Sequence, residues 1–151
     1  MRIFEYAALK GRLTVIELDA ATGRVLSRET PNNTITLIGK RLALDLLFGQ
    51  HTHFVQYLAA GTNNTAAAAS DTALYQEVIR GPLVSVSVDD DTTNGIAIAR
   101  YIMGTTQGNG VTFREAGLFN DNTQMLSRVV HADKAKDASK IIVYQWEITQ
   151  A

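Results

Sequence analysis

Val111–Val130 reads VTFREAGLFNDNTQMLSRVV. Two runs rich in β-branched and large apolar residues stand either side of Asn120-Asp121-Asn122-Thr123, a cluster of turn formers. The stretch therefore predicts an antiparallel hairpin. Its neighbours follow the same rule. FVQYLAA, EVIRGPLVSVSV and IAIARYIMG come before it and KIIVYQWEIT after it, each a short β-favouring run bounded by polar or glycine-containing links. Several short strands in succession predict a mainly β domain, an antiparallel sandwich of jelly-roll or immunoglobulin-like type. In FVQYLAA, alternation sets Val55, Tyr57 and Ala59 on one face. Gly81-Pro82 marks a bulge or a bend.

Two other elements precede this region. RLTVIELD, the turn AATG and RVLSRET predict a hairpin over Arg12–Thr30, which Pro31 ends. NNTITLIGKRLALDLLFG carries Leu37, Ile38, Leu42, Leu46 and Leu47 at helical spacing. It predicts one amphipathic helix with Asn33 or Thr34 as cap and Gly49 as stop. Gly39 inside that pattern points to close packing on the sheet. The expected organisation is a single domain over 1–151: an N-terminal β-hairpin segment at 1–31, a helix at 32–50 and a sandwich at 51–151.

A chain of 151 residues, 46% hydrophobic and 19% charged, suits one folded domain. A net charge of −1 argues against nucleic acid as a partner. The absence of cysteine removes disulfides, thiolate metal sites and cysteine nucleophiles. MRIFEYAALKGR has no signal-peptide core, and no apolar run is long enough to span a membrane. The expectation is a chain made in an aqueous, cytoplasm-like setting, with no membrane partner.

Sets of residues that could carry chemistry are few. Asp89-Asp90-Asp91 lacks the alternating acids and distal Glu of an EF-hand loop and reads as a solvated hairpin tip. His51 and His53, with His131 as a third member, could hold a metal, yet no acid or cysteine stands beside the pair. Gly104–Gly110, GTTQGNG, lacks the Lys-Ser/Thr ending of a phosphate loop. Glu77 and Glu115 could form a glycosidase acid/base pair, but nothing in the sequence brings them to one cleft. Ion pairing is the simpler expectation. If the strands bearing Glu77 and Arg80 and the strand bearing Arg114 and Glu115 are neighbours, Glu77–Arg114 or Arg80–Glu115 would tie a loop to the sheet. No catalytic residue, cofactor or metal is expected.

The order of segments carries more than any single motif. An Asn/Thr entry to a helix is followed by Gly61-Thr62, then by Asp71-Thr72, Leu74, Glu77 and Arg80. Glu115-Ala116-Gly117-Leu118-Phe119, Arg128, and a closing strand with Trp146 and Ile148 come after. Over Asn32–Thr149 this succession resembles tailed-bacteriophage structural proteins of the tail-fibre, collar and baseplate-associated type. The resemblance implies a virion component without catalysis, a tail, collar or baseplate adaptor or fibre-attachment piece. Its implied partners are other virion proteins and further copies of itself, a trimer among the possible forms. Leu74 would anchor the long loop, Glu77 and Arg80 would fix its return, and Arg114, Glu115 and Phe119 would complete the interface candidates. A capsid cement or decoration protein and a carbohydrate-binding β-sandwich module are the alternatives. The N-terminal hairpin lies outside the resemblance and is expected to be a local addition.

Overall fold

The computed structural model describes residues 9–89 and 95–150. The acidic tip expected at Asp89-Asp90-Asp91 falls outside the described residues from Asp90 onward. The strands are β1 (Leu9–Asp19), β2 (Val25–Glu29), β3 (Asn33–Ile35), β4 (Val55–Gly61), β5 (Glu77–Pro82) and β6 (Ser85–Asp89), then β7 (Ile96–Met103), β8 (Val111–Asn120), β9 (Met125–Lys136) and β10 (Lys140–Gln150). One helix, α1 (Leu37–Leu47), lies between β3 and β4. The strands form two five-stranded sheets, sheet 1 in the order β2-β1-β10-β7-β6 and sheet 2 in the order β3-β9-β8-β4-β5. All neighbours are antiparallel, so the fold is a mainly β sandwich with one helix, as the strand pattern predicts.

The β8–β9 hairpin is built as its turn residues suggest. The Asn120 side-chain oxygen accepts from the amides of Asn122 (3.0 Å) and Gln124 (2.9 Å). Thr123 adopts a left-handed φ of 59°. Phe119 pairs with Met125 and Leu118 with Ser127, leaving Leu126 as an extra, bulged residue. The core lies between the sheets. Leu13, Tyr144 and Trp146 of sheet 1 pack there with Leu58, Phe113 and Leu118 of sheet 2, all almost wholly buried.

The N-terminal hairpin is no local addition. β1 runs beside β10 along eleven pairs, from Leu9↔Gln150 to Asp19↔Lys140, and occupies an interior position in sheet 1. It supplies Leu13 and Val15, both fully buried. The Gly81-Pro82 pair is a bend rather than a bulge. It ends β5 in sheet 2, and the chain crosses there to β6 in sheet 1. Nor do Val55, Tyr57 and Ala59 share a face. The β4–β8 register shifts between Val55 and Tyr57, so Val55 packs against the inner core while Tyr57 and Ala59 face outward.

The helix starts later than its sequence pattern indicates. Asn33 and Thr34 lie in β3, paired with β9, and Thr36 is the cap. The Thr36 hydroxyl accepts from Gly39 N (2.8 Å) and donates to the Met125 carbonyl (2.6 Å). Asn33 is engaged elsewhere: its side-chain oxygen accepts from Trp146 Nε1 at 3.2 Å, linking β3 to sheet 1. Thr36 N also donates to the carbonyl of the bulged Leu126 (3.0 Å), so α1 docks on the bulge. A Cβ on Gly39 would stand 2.2 Å from that carbonyl oxygen. Gly39→Ala is therefore expected to destabilise the fold by about 1–3 kcal/mol through overpacking, and Thr36→Ala by about 1–2 kcal/mol through loss of the cap. Urea unfolding of both variants measures this, and wild-type stability in Gly39→Ala would mean that α1 is not held against β9.

Candidate functional site

Sheet 2 has a second apolar face, on its outer side. Ala59, Phe119 and Met125 form a small cluster there with Tyr57 at its margin, and Leu74 from the long loop between β4 and β5 covers them. Leu74 is 8% exposed although its neighbours Ala73 and Tyr75 face solvent. Burying one leucine in this way contributes about 1.5–3 kcal/mol. The loop closes tightly at its base, where Thr62 N donates to the Gln76 carbonyl at 3.1 Å. A Cβ on Gly61 would lie 2.1 Å from that oxygen and 2.7 Å from Glu115 Oε1. Glycine at this position is a condition for the closure.

Beside the cluster sits a buried ionic network. Arg128, with no solvent exposure, lies between Glu115, also fully buried, and Asp71. Its Nη1 donates to Asp71 Oδ2 at 3.1 Å and its Nε to Glu115 Oε2 at 3.0 Å. Arg128 Nη2 is also 2.9 Å from Glu115 Oε2, off the line of a hydrogen bond, so that contact is ionic only. The remaining acceptor capacity faces the loop. Glu115 Oε1 accepts from Gln76 N (2.8 Å) and Oε2 from Tyr75 N (3.2 Å). Asp71 accepts from Ala68 N (2.9 Å) and from the Tyr75 hydroxyl (2.9 Å). The guanidinium carbon stands 4.3 Å from the centre of the Tyr75 ring, a cation–π contact. Burial pushes the Asp71 carboxyl up, but the Ala68 amide, the Tyr75 hydroxyl and Arg128 together outweigh it and hold the group below the usual carboxylate range.

The residues singled out from the sequence fall into this picture with different partners. Leu74 is the loop's apolar contact, and Phe119 lies beneath it. Glu77 and Arg80 pair with one another at 2.7 Å. The Arg80 guanidinium also lies 3.9 Å from the centre of the Phe119 ring. Arg114 pairs with Asp133 at 2.9 Å and reaches the Thr62 carbonyl. The cross-pairs Glu77–Arg114 and Arg80–Glu115 are not formed, because Glu115 belongs to Arg128 and Glu77 has a nearer partner three residues along its own strand. Sequence reading assigned no contact to Asp71 or to Arg128. The signal was present, since both stand among the motif residues. Glu115 is enclosed by the loop and has no route to a solvent-borne substrate.

The histidines are held separately. His53 Nδ1 meets Asp121 at 2.8 Å, with the His51 ring stacked 6.0 Å from it. His131 donates from Nδ1 to the Ala132 carbonyl (2.8 Å) and accepts the Tyr144 hydroxyl at Nε2 (3.2 Å). Among the described residues no group of three or more potential ligands is placed to hold a metal ion.

A family model described as phage tail-collar fibre protein, N-terminal, matches residues 31–142. The chain belongs to this family. The match spans the helix, the clamped loop, the ionic network and the β8–β9 hairpin, and stops short of Trp146. No curated protein and no solved structure matches the chain. As a tail-collar fibre domain the protein is a phage tail structural component that associates with other virion proteins. No helix among the described residues is long and apolar enough to cross a membrane.

Two predictions follow from the network and from His131. Arg128→Met leaves two buried carboxylates without a cation and is expected to cost about 3–5 kcal/mol and to open the loop to proteolysis near Thr62–Gln76. Arg80→Ala removes a partly exposed pair and should cost no more than about 1–2 kcal/mol. Thermal melts with limited proteolysis compare the two, and equal losses would refute a loop held chiefly by Arg128. Burial lowers the His131 pKa, against the Ala132 carbonyl and Glu29, which raise it. The depressed value means that the unfolded chain binds the proton first, so the stability from neutral His131 is full above about pH 6.5 and declines as pH falls below it. Melting temperature should drop as pH falls below about 6.5, and His131→Gln should flatten that slope. An unchanged slope in the variant would assign the effect to other groups.

Proposed function

We propose that this tail-collar fibre domain is a non-enzymatic joining piece, an adaptor or fibre-attachment component at the collar or baseplate. The observation that supports this most is the use made of the buried charges. Arg128, Glu115 and Asp71 hold backbone in place and face no opening, which suits a scaffold that presents a fixed surface to another chain. That surface is the outward side of the clamped loop and the adjoining edge strand β5, where Tyr75 and Val78 are about half exposed. No catalytic group, cofactor or metal enters this role. The match to a tail fibre family favours the tail over a cement protein on the head.

Self-association into a homo-oligomer, with a trimer as the form to test, is part of the same proposal. Strand β6 supports it. It forms an edge of sheet 1 with Val86 and Val88 exposed, and an edge strand with exposed apolar side chains favours pairing with another chain. Val78→Glu is expected to leave the melting temperature unchanged while abolishing incorporation of the tagged protein into phage particles, read by immunoblot of purified virions. Normal incorporation would remove the loop and β5 from the attachment surface. Light scattering on the purified chain tests the oligomer, and a monomer at high concentration would show that association needs a partner chain.

A further inference from the structure

The β8–β9 ladder opens at the end opposite the Asn120–Thr123 turn. There Val111 pairs with Lys136, and Gly110 N donates to the Lys136 carbonyl at 2.9 Å. The Lys136 side chain differs from the other enclosed cations, Arg128 and Lys134, each of which meets a carboxylate. Lys136 is only 2% exposed, and it forms no ion pair among the described residues. Its Nζ donates instead to Asn109 Oδ1 at 2.9 Å and to the Asp137 carbonyl at 2.8 Å. An ammonium taken from water without a carboxylate at contact is driven toward the neutral amine. Burial accordingly lowers the Lys136 pKa, against the charge of Asp137, which raises it.

A neutral lysine amine is a nucleophile, and this one faces a carboxamide. With a C=O bond of about 1.23 Å behind that oxygen, Asn109 Cγ lies no more than about 4.1 Å from Nζ. The amide is fixed at its other end as well, where Nδ2 donates to the Thr105 carbonyl at 2.8 Å. Asn109 itself is exposed, so a small leaving group has a path to solvent. We propose that Lys136 and Asn109 form an intramolecular isopeptide cross-link. Nζ bonds to Asn109 Cγ, the Cγ–Nδ2 bond breaks, and Nδ2 departs as ammonia with a proton that Nζ gives up. Starting from the lysine ammonium, the second proton leaves with the ammonia as ammonium, and no oxidant or reductant is needed. Asp137, the carboxylate whose charge reaches Nζ, relays the proton between the two nitrogens. The bond would turn the hairpin that carries Glu115 and Arg128 into a closed ring, constraining the unfolded chain as a disulfide does. The cross-link does not depend on the role of the protein in the tail.

Intact mass of the denatured full-length protein, measured after incubation at neutral pH, reads the step directly. It is expected to fall by the mass of one ammonia molecule, and a tryptic map should contain one branched peptide joining Asn109 to Lys136. Lys136→Arg keeps a donor for Asn109 but no nucleophilic amine, and Asn109→Ala removes the carbon that is attacked. Both should keep their full mass while circular dichroism shows them folded. Asp137→Asn should slow formation of the branched peptide about a hundredfold or more. Three results would overturn the proposal. An unchanged mass in the folded wild type would leave Lys136 a hydrogen-bond donor and nothing more. Loss of ammonia that persists in Lys136→Arg would assign it to ring closure of Asn109 on the Gly110 amide. A mass raised by exchange of the amide nitrogen for oxygen would show that water, and not Lys136, attacks Asn109.

Discussion

Arg128 is the point on which the outer half of the molecule turns. A guanidinium with no exposure is tolerable only when its charge is matched and its donors are used. Here two carboxylates meet one cation, so the network carries a surplus negative charge that needs further N–H and O–H donors. Those donors are the amides of Ala68, Tyr75 and Gln76 and the Tyr75 hydroxyl, all from the β4–β5 loop. The loop therefore cannot lift away without leaving buried carboxylate oxygens unpaired. This makes a long segment of Asn, Thr and Ala part of the cooperative unit, although it has little apolar surface of its own beyond Leu74.

The hairpin register makes the network possible. Gly117 stands opposite Arg128, and Glu115 is one diagonal step away, opposite Val130. A side chain at position 117 would meet Leu74, Phe119 and Met125 at about 3.0–3.1 Å, so the small residue keeps the space in which the loop rests. The irregularity at Leu126 serves the opposite end of the hairpin. It turns that residue's carbonyl toward Thr36 and gives the helix its docking point. One β-hairpin thus positions the loop on one face and α1 at the margin.

The sequence was legible wherever local chemistry decided the outcome. Turn formers at Asn120–Thr123 marked the hairpin, and Gly39 marked the contact with β9. Misreadings came where a distant group competed. Asn33 has a good capping side chain, yet Trp146 and Ser127 claim it for the sheet. Val55 leaves the alternation because the β4–β8 register slips, which no pattern within β4 records. The expected ion pairs do not form because β4 separates β5 from β8, while the actual partner of Glu115 lies across the hairpin that the same sequence predicted. Strand order was closed to sequence because every pairing here is antiparallel and each strand reads alike.

The position of β1 qualifies what the family match covers. The matched region begins at residue 31 and ends at residue 142, so it contains neither β1 nor most of β10. Yet these two strands pair along eleven residues at the heart of sheet 1 and bring Leu13, Val15, Tyr144 and Trp146 into the common core. Without β1, one long edge of β10 would lose its ladder, and the large side chains of Tyr144 and Trp146 would lose the neighbours beside them. All five strands of sheet 2 lie inside the match, whereas sheet 1 has only β6 and β7 wholly within it and is completed by residues outside. The two sheets thus divide the work: sheet 2 holds the loop through its buried ionic network, and sheet 1 supplies the large side chains that back it across the core.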